Sequence, residues 1–115
     1  MFLDEKKSGE AATQTRSLQV HQRLLLRAAE IIEQRGLRQG GFGGDSPDDS
    51  VCTLRAIDIA VKEFGLDKNA YNGWGAPRSA IMAYTGCDSV IIWTDNEART
   101  QDEVIGVLRG AAMLP

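Results

Sequence analysis

Few side chains in this 115-residue chain could do chemistry, and their spacing narrows what that chemistry could be. His21 is the single histidine, and Cys52 and Cys87 are the two cysteines. Acid–base or nucleophilic catalysis needs such a group beside an orienting partner, and none of the three has one at a recognisable spacing. His21 falls near the middle of an apolar helical arc, which predicts a packed or rim residue. The cysteines lack C-x-x-C or histidine-rich surroundings and read as reduced core residues. Gly41-Phe42-Gly43 invites comparison with a phosphate-cradling loop, but no strand precedes it and no Gly-Lys-Ser/Thr follows. Asp45, Asp48 and Asp49 would repel a phosphate there. Those aspartates do not have EF-hand spacing either, and Thr100 stands where a calcium loop beginning at Asp95 would need glycine. The sequence thus predicts no catalytic residue, no cofactor and no metal site. What remains is an aromatic and charged set: Trp93, Asp95, Asn96 and Arg99, with Trp74 further back. It reads either as a recognition corner, since Trp and Arg are favoured interface anchors, or as a structural one. In the structural reading Asp95 pairs with Arg99 while Trp93 seals the core.

The elements that must position this set are helical. Residues 1–16 mix charges and small polar residues without an apolar period, which predicts a mobile tail ahead of one domain over residues 17–115. From Ser17 onward Leu18, Leu24, Leu25, Ala28, Ile31 and Ile32 gather on one arc, giving an amphipathic helix that ends near Gly36. A glycine-rich connector follows. Ser46-Pro47-Asp48-Asp49 then has the composition of a helix start, and Gly65 of a stop. Between them Leu54, Ile57, Ala60, Val61 and Phe64 share one side. Arg55, Asp58 and Lys62 are left as a narrow wet strip, so this helix is expected to lie enclosed at the centre of the bundle. Leu66 to Tyr71 suits a turn of helix, Asn72 to Gly75 a loop, and Arg78 to Thr85 a short helix closed by Gly86. Val90-Ile91-Ile92-Trp93 is apolar enough for a short strand but has no convincing pairing partner, which favours a helical turn or an extended plug. Thr100-Gln101-Asp102-Glu103 is a capping box that opens a last helix through about Met113. Gly106 and Gly110 within it allow either a close helix contact or a mobile end. The expected fold is an all-α single-domain bundle of three main helices plus short helical turns, with an α+β arrangement carrying one strand pair as the alternative.

The net charge of −3 is unevenly divided: residues 1–44 carry seven basic and five acidic side chains, residues 45–115 six and eleven. Neither half is basic enough for a nucleic-acid footprint. No run approaches the ~18–20 apolar residues of a membrane span, and the charges at Asp4 to Lys7 interrupt any signal-peptide core. A soluble, cytoplasmic protein is expected.

Leu24 to Gly36, Val51-Cys52-Thr53-Leu54-Arg55-Ala56-Ile57, Trp93-Thr94-Asp95-Asn96 and Arg99-Thr100-x-x-Glu103-Val104 together resemble a family of small actinobacterial and actinophage proteins, a domain of unknown function. The block from Trp93 to Val104 is the most specific part. The family usually shows Trp-Asn-Asp where this chain has Trp93-Thr94-Asp95, and glycine where it has Arg55. The resemblance implies size and setting and carries no chemistry.

These readings favour a non-enzymatic protein-binding module, acting on a host factor if the chain is phage-borne, with self-association open. Trp74, Phe42 and the wet face of the first helix are candidate contacts. A DNA-associated accessory role is the alternative, resting on Arg16, Arg23 and Arg27, with Glu30, Glu33 and the acidic balance against it.

Overall fold

The computed structural model describes residues 18–114 apart from 42, 44 and 45. The expected tail at 1–16, and Phe42, Arg16 and Asp45, therefore lie outside the described residues. Among the described residues five α-helices follow one another: α1 Val20–Arg35, α2 Thr53–Glu63, α3 Ala76–Thr85, α4 Val90–Asp95 and α5 Gln101–Ala112. A π-helical turn, Tyr71–Gly75, runs straight into α3. Among the described residues there is no strand. The backbone pairings of that kind are isolated bridges from Val51 to Leu37 and to Gly43. The fold is all-α, and Val90–Trp93 is helix, with Ser89 Oγ capping it by accepting from the Ile92 amide at 3.3 Å.

α1 is the helix at the centre. It packs against α5 along one side and α2 along another, and also touches α3 and the π turn. Leu24, Leu25, Ala28, Ala29, Ile31 and Ile32 are all buried, which accounts for the arc seen in the sequence. Its ends are tied down. Gln22 Nε2 donates to the Ala112 carbonyl at 2.6 Å, joining the first turn of α1 to the last of α5. Gly36 closes the helix at φ 93°, where a side chain would be strained.

α2 departs from expectation in three ways. It begins at Thr53, with Cys52 as its cap: Cys52 Sγ accepts from the Arg55 amide at 3.3 Å. Ser46-Pro47-Asp48-Asp49 is a turn instead, closed by the Asp49 amide on the Ser46 carbonyl at 3.1 Å. Serine first and proline second suit a type I turn as well as a helix start. Beyond the turn, Val51 donates to the Gly36 carbonyl at 3.0 Å and accepts from the Arg38 amide at 2.8 Å, so its extended backbone delays the helix. Second, α2 lies on α1 and carries the π turn and α4, so it flanks the centre rather than occupying it. Ile57 is fully enclosed, whereas Phe64 is 38% exposed beneath the Arg23 guanidinium. Third, Asp58 is buried; its Oδ2 sits 2.8 Å from Arg55 Nη1 and 3.2 Å from Lys62 Nζ.

At the C-terminal helix, Thr100 Oγ1 accepts from the Glu103 amide at 3.1 Å as expected. The reciprocal half of the box does not form, because Glu103 Oε2 takes Arg99 Nη1 at 2.8 Å. Gly106 faces open space, but a Cβ on Gly110 would fall 2.4 Å from the Tyr84 ring, so the second glycine marks a close contact between α3 and α5.

Candidate functional site

α4 is only six residues long and too short to hold itself as an isolated helix. Its position comes from α2 below and from the connector after α1. Thr94 is buried, with its hydroxyl 2.8 Å from the Val90 carbonyl and 2.7 Å from the Thr53 hydroxyl. Having one hydrogen to give, Thr94 donates to Val90 and accepts from Thr53. That bond fastens α4 to the first residue of α2.

The connector grips the other end. Gln39 Nε2 donates to the Thr94 and Asn96 carbonyls, each at 2.8 Å, which suits the two hydrogens of an amide nitrogen. Asp95 Oδ1 accepts from the Gly40 amide at 2.9 Å. The expected Asp95–Arg99 pair is therefore not made. Arg99 turns the other way: Nε donates to the Trp93 carbonyl at 2.9 Å, and the guanidinium lies 4.1 Å over the Trp93 ring. Asn96 Oδ1 accepts from the Ala98 amide at 2.9 Å and shapes the turn toward α5.

Trp93, Asp95, Asn96 and Arg99 are thus brought to one corner. Trp74 stands elsewhere, on the π turn, with Lys68 and Arg78 each 5.8 Å from its ring and its indole N–H buried without an acceptor. The sequence reading missed Gln39 and Gly40, which lie in a segment with no period, and the Thr53–Thr94 bond, which joins residues 41 apart. It also missed the exposure of Ile91 and Ile92.

Beside this corner opens a cavity of about 290 Å³ lined by Gly40, Gly41, Cys52, Leu54, Ile91, Thr94 and Asp95. Its surface is mainly apolar. Across Leu54 and Ile91 it adjoins a smaller depression of about 160 Å³ that reaches Met82, Arg78 and Asp88. Ile91, which lines both, is 51% exposed, and the next residue of α4, Ile92, is 74% exposed. Burial pushes the Cys52 thiol up from its ordinary pKa, and the charge of Asp95 adds to the shift. The thiol is therefore held protonated at neutral pH, the opposite of what a nucleophile requires. Among the described residues no group of three or more His, Cys, Asp or Glu could hold a metal ion.

The chain matches a family of unknown function over residues 17–114. It belongs to DUF6197. No curated protein and no solved structure shows significant similarity to it. The family match spans α1 to α5 and so includes the corner, but supplies no activity for it.

A second, more open depression of about 430 Å³ lies between the start of α1, the π turn and α3. His21 is half-buried at its rim among Tyr71, Leu114 and the alanines of α3, a rim position of the expected kind. Among the described residues, no helix is long and apolar enough to cross a membrane.

Proposed function

We propose that this DUF6197 protein is a non-enzymatic interaction module that docks another protein through the α4 corner. The observation that carries the proposal is the exposure of two consecutive isoleucines on α4, Ile91 at 51% and Ile92 at 74%, with Ile91 lining the apolar cavity together with Leu54. Exposed aliphatics scattered singly need no explanation, but two consecutive ones, the first bordering an apolar cavity, join into an apolar surface of the kind found at interaction sites. Arg99 over Trp93 adds an aromatic and guanidinium pair of the sort enriched among binding hot spots. The geometry gives less support to DNA. Arg27 is engaged by Glu63 and Glu30, and Arg23 lies over Phe64, so two cations of the α1 face are already employed within the fold.

The resemblance to actinobacterial and actinophage proteins directs the search for a partner to such a cytoplasm, with a host factor as the target if the chain is phage-borne. The test is affinity capture with the wild-type chain and Ile92→Asp in parallel, with circular dichroism confirming that both are folded. A protein retained by the wild type and lost by I92D supports the reading. Retention that is indifferent to I92D would move binding away from α4.

A further inference from the structure

We propose that α4 is a flap: in the native protein it lifts off α2 as a unit, far more often than the whole chain unfolds, and uncovers Leu54 and Cys52.

The first argument is what α4 lacks. Of its residues only Val90 and Thr94 are buried, and it packs chiefly on α2 and α3 rather than within the α1–α5 seam. Its contact with α2 is partly hollow. Both depressions beside α4 are lined by Leu54 of α2 and Ile91 of α4, the larger also by Cys52 and Thr94. A side chain that faces a void has no partner atoms on that side, so lifting it away forfeits little dispersion energy. Ile91 and Ile92 are already largely in solvent and lose little burial by moving. Segments with few buried apolar contacts are the ones that open locally in folded proteins.

The second argument is what holds α4. Its attachments are a short set of side-chain hydrogen bonds: Thr94 with Thr53, Gln39 to the Thr94 and Asn96 carbonyls, Asp95 with the Gly40 amide, and Arg99 to the Trp93 carbonyl. All act between Trp93 and Asn96, so they release together. Each contributes a modest net stabilisation, because water takes the partner's place once the segment lifts. Residues 86–89 and 96–100, which join α4 to α3 and α5, are not helical, so α4 can move without unwinding its neighbours.

Cys52 supplies the reporter. Its thiol is 7% exposed in the closed structure and shares the larger depression with Thr94 and Asp95. Burial, and then the charge of Asp95, hold it protonated there, so reaction with a thiol reagent reports the opened state.

The experiment uses the full chain carrying Cys87→Ser, which leaves Cys52 as the one thiol. It follows labelling of Cys52 by a dilute aromatic disulfide, together with hydrogen exchange at the Trp93 amide, which donates to the Ser89 carbonyl at 3.0 Å. Gln39→Ala removes two of the attachments and should accelerate both reporters by a common factor of about five to fifty. Ile32→Ala weakens the seam, which is the same whether α4 is closed or open. It should leave both reporters within about twofold of the parent while exchange at the Leu108 amide of α5 rises at least about tenfold. Dilute urea draws the same distinction without a variant: both reporters should respond weakly and Leu108 steeply, since the slope follows the surface exposed. If Ile32→Ala or urea accelerated all three alike, α4 would leave only when everything unfolds, and the proposal would be overturned. Labelling indifferent to Gln39→Ala would mean that the reagent enters the closed cavity, and a response of Trp93 alone would reduce the motion to fraying of one turn. Either result equally defeats the flap. The flap requires no partner, so its failure is separate from that of the I92D capture.

Discussion

The seam between α1 and α5 and the corner around α4 are built from the same aliphatic residue types and end up in opposite states. Along the seam, Leu24, Leu25, Ile31, Ile32, Val104 and Leu108 are closed off from water, and the hydrogen bond from Gln22 to Ala112 fixes the ends. At the corner, Ile91 and Ile92 stand in solvent, Ile91 at the edge of a cavity. Polar bonds position α4 there: Thr94 to Thr53, Gln39 to two carbonyls, and Asp95 to Gly40. The contrast teaches a division of labour. The seam stabilises by burial, and the corner is oriented by hydrogen bonds that leave two of its apolar side chains in solvent.

The largest expected effect tests the seam. Ile32→Ala should lose about 2–5 kcal/mol of unfolding free energy, because a fully enclosed side chain leaves a cavity when truncated. Ile92→Ala should stay within about 0.5 kcal/mol, as for exposed sites generally. Urea unfolding of both variants measures the gap. Equal losses would erase the distinction between the two regions.

Next in size is the pin beneath α4. Thr94→Val removes the acceptor of the buried Thr53 hydroxyl and should cost about 1–3 kcal/mol, the penalty for a buried polar group left alone. The pair Thr53→Val with Thr94→Val should recover part of that loss, since both hydroxyls then go. A double-mutant cycle by chemical denaturation checks this. Strict additivity would show that the hydroxyls do not act together, and α4 would then owe its place to the connector.

Much of the seam was legible in the sequence, and little of the corner was. α1 runs for 16 residues, long enough for its apolar period to show, and Gly36 marks its end. Thr100 likewise caps α5, although Glu103 bonds Arg99 instead of closing the box. α4 spans six residues, fewer than two turns, so four consecutive apolar residues carry no period that separates helix from strand. The start of α2 misled for a different reason. Ser-Pro-Asp-Asp satisfies both a helix N-terminus and a type I turn, and the choice was made by Val51 bonding to Gly36 and Arg38. Asp95 and Arg99, four residues apart, suggested an ion pair across the entry to the last helix. Asp95 instead takes the Gly40 amide, a partner the local sequence cannot name, and Arg99 turns to the Trp93 carbonyl and Glu103.

A smaller loss than at the pin is expected on the wet edge of the central packing, where α1 meets α2. Arg27 Nε and Nη2 grip Glu63 Oε1 and Oε2 at 2.8 and 3.1 Å, a two-bond fork. The hydrogen bond to Arg27 holds the Glu63 carboxyl below its ordinary pKa, with a partial opposing push from burial. The lowered folded-state pKa means that the pair stabilises fully above the unfolded value, about 4.3 for glutamate, and fades as pH falls through the folded value. Both side chains are partly exposed, 31% and 41%, so solvent screens the pair and its worth is about 0.2–1 kcal/mol. Glu63→Gln should therefore be weaker than the wild type by that amount at pH 7 in low salt. The difference should shrink in high salt and vanish once the wild-type carboxyl is protonated in acid. Parallel urea titrations across pH measure it. A deficit of several kcal/mol that persists in acid would mean that Glu63 acts through packing rather than charge, and the edge of α1 and α2 would then belong with the closed seam.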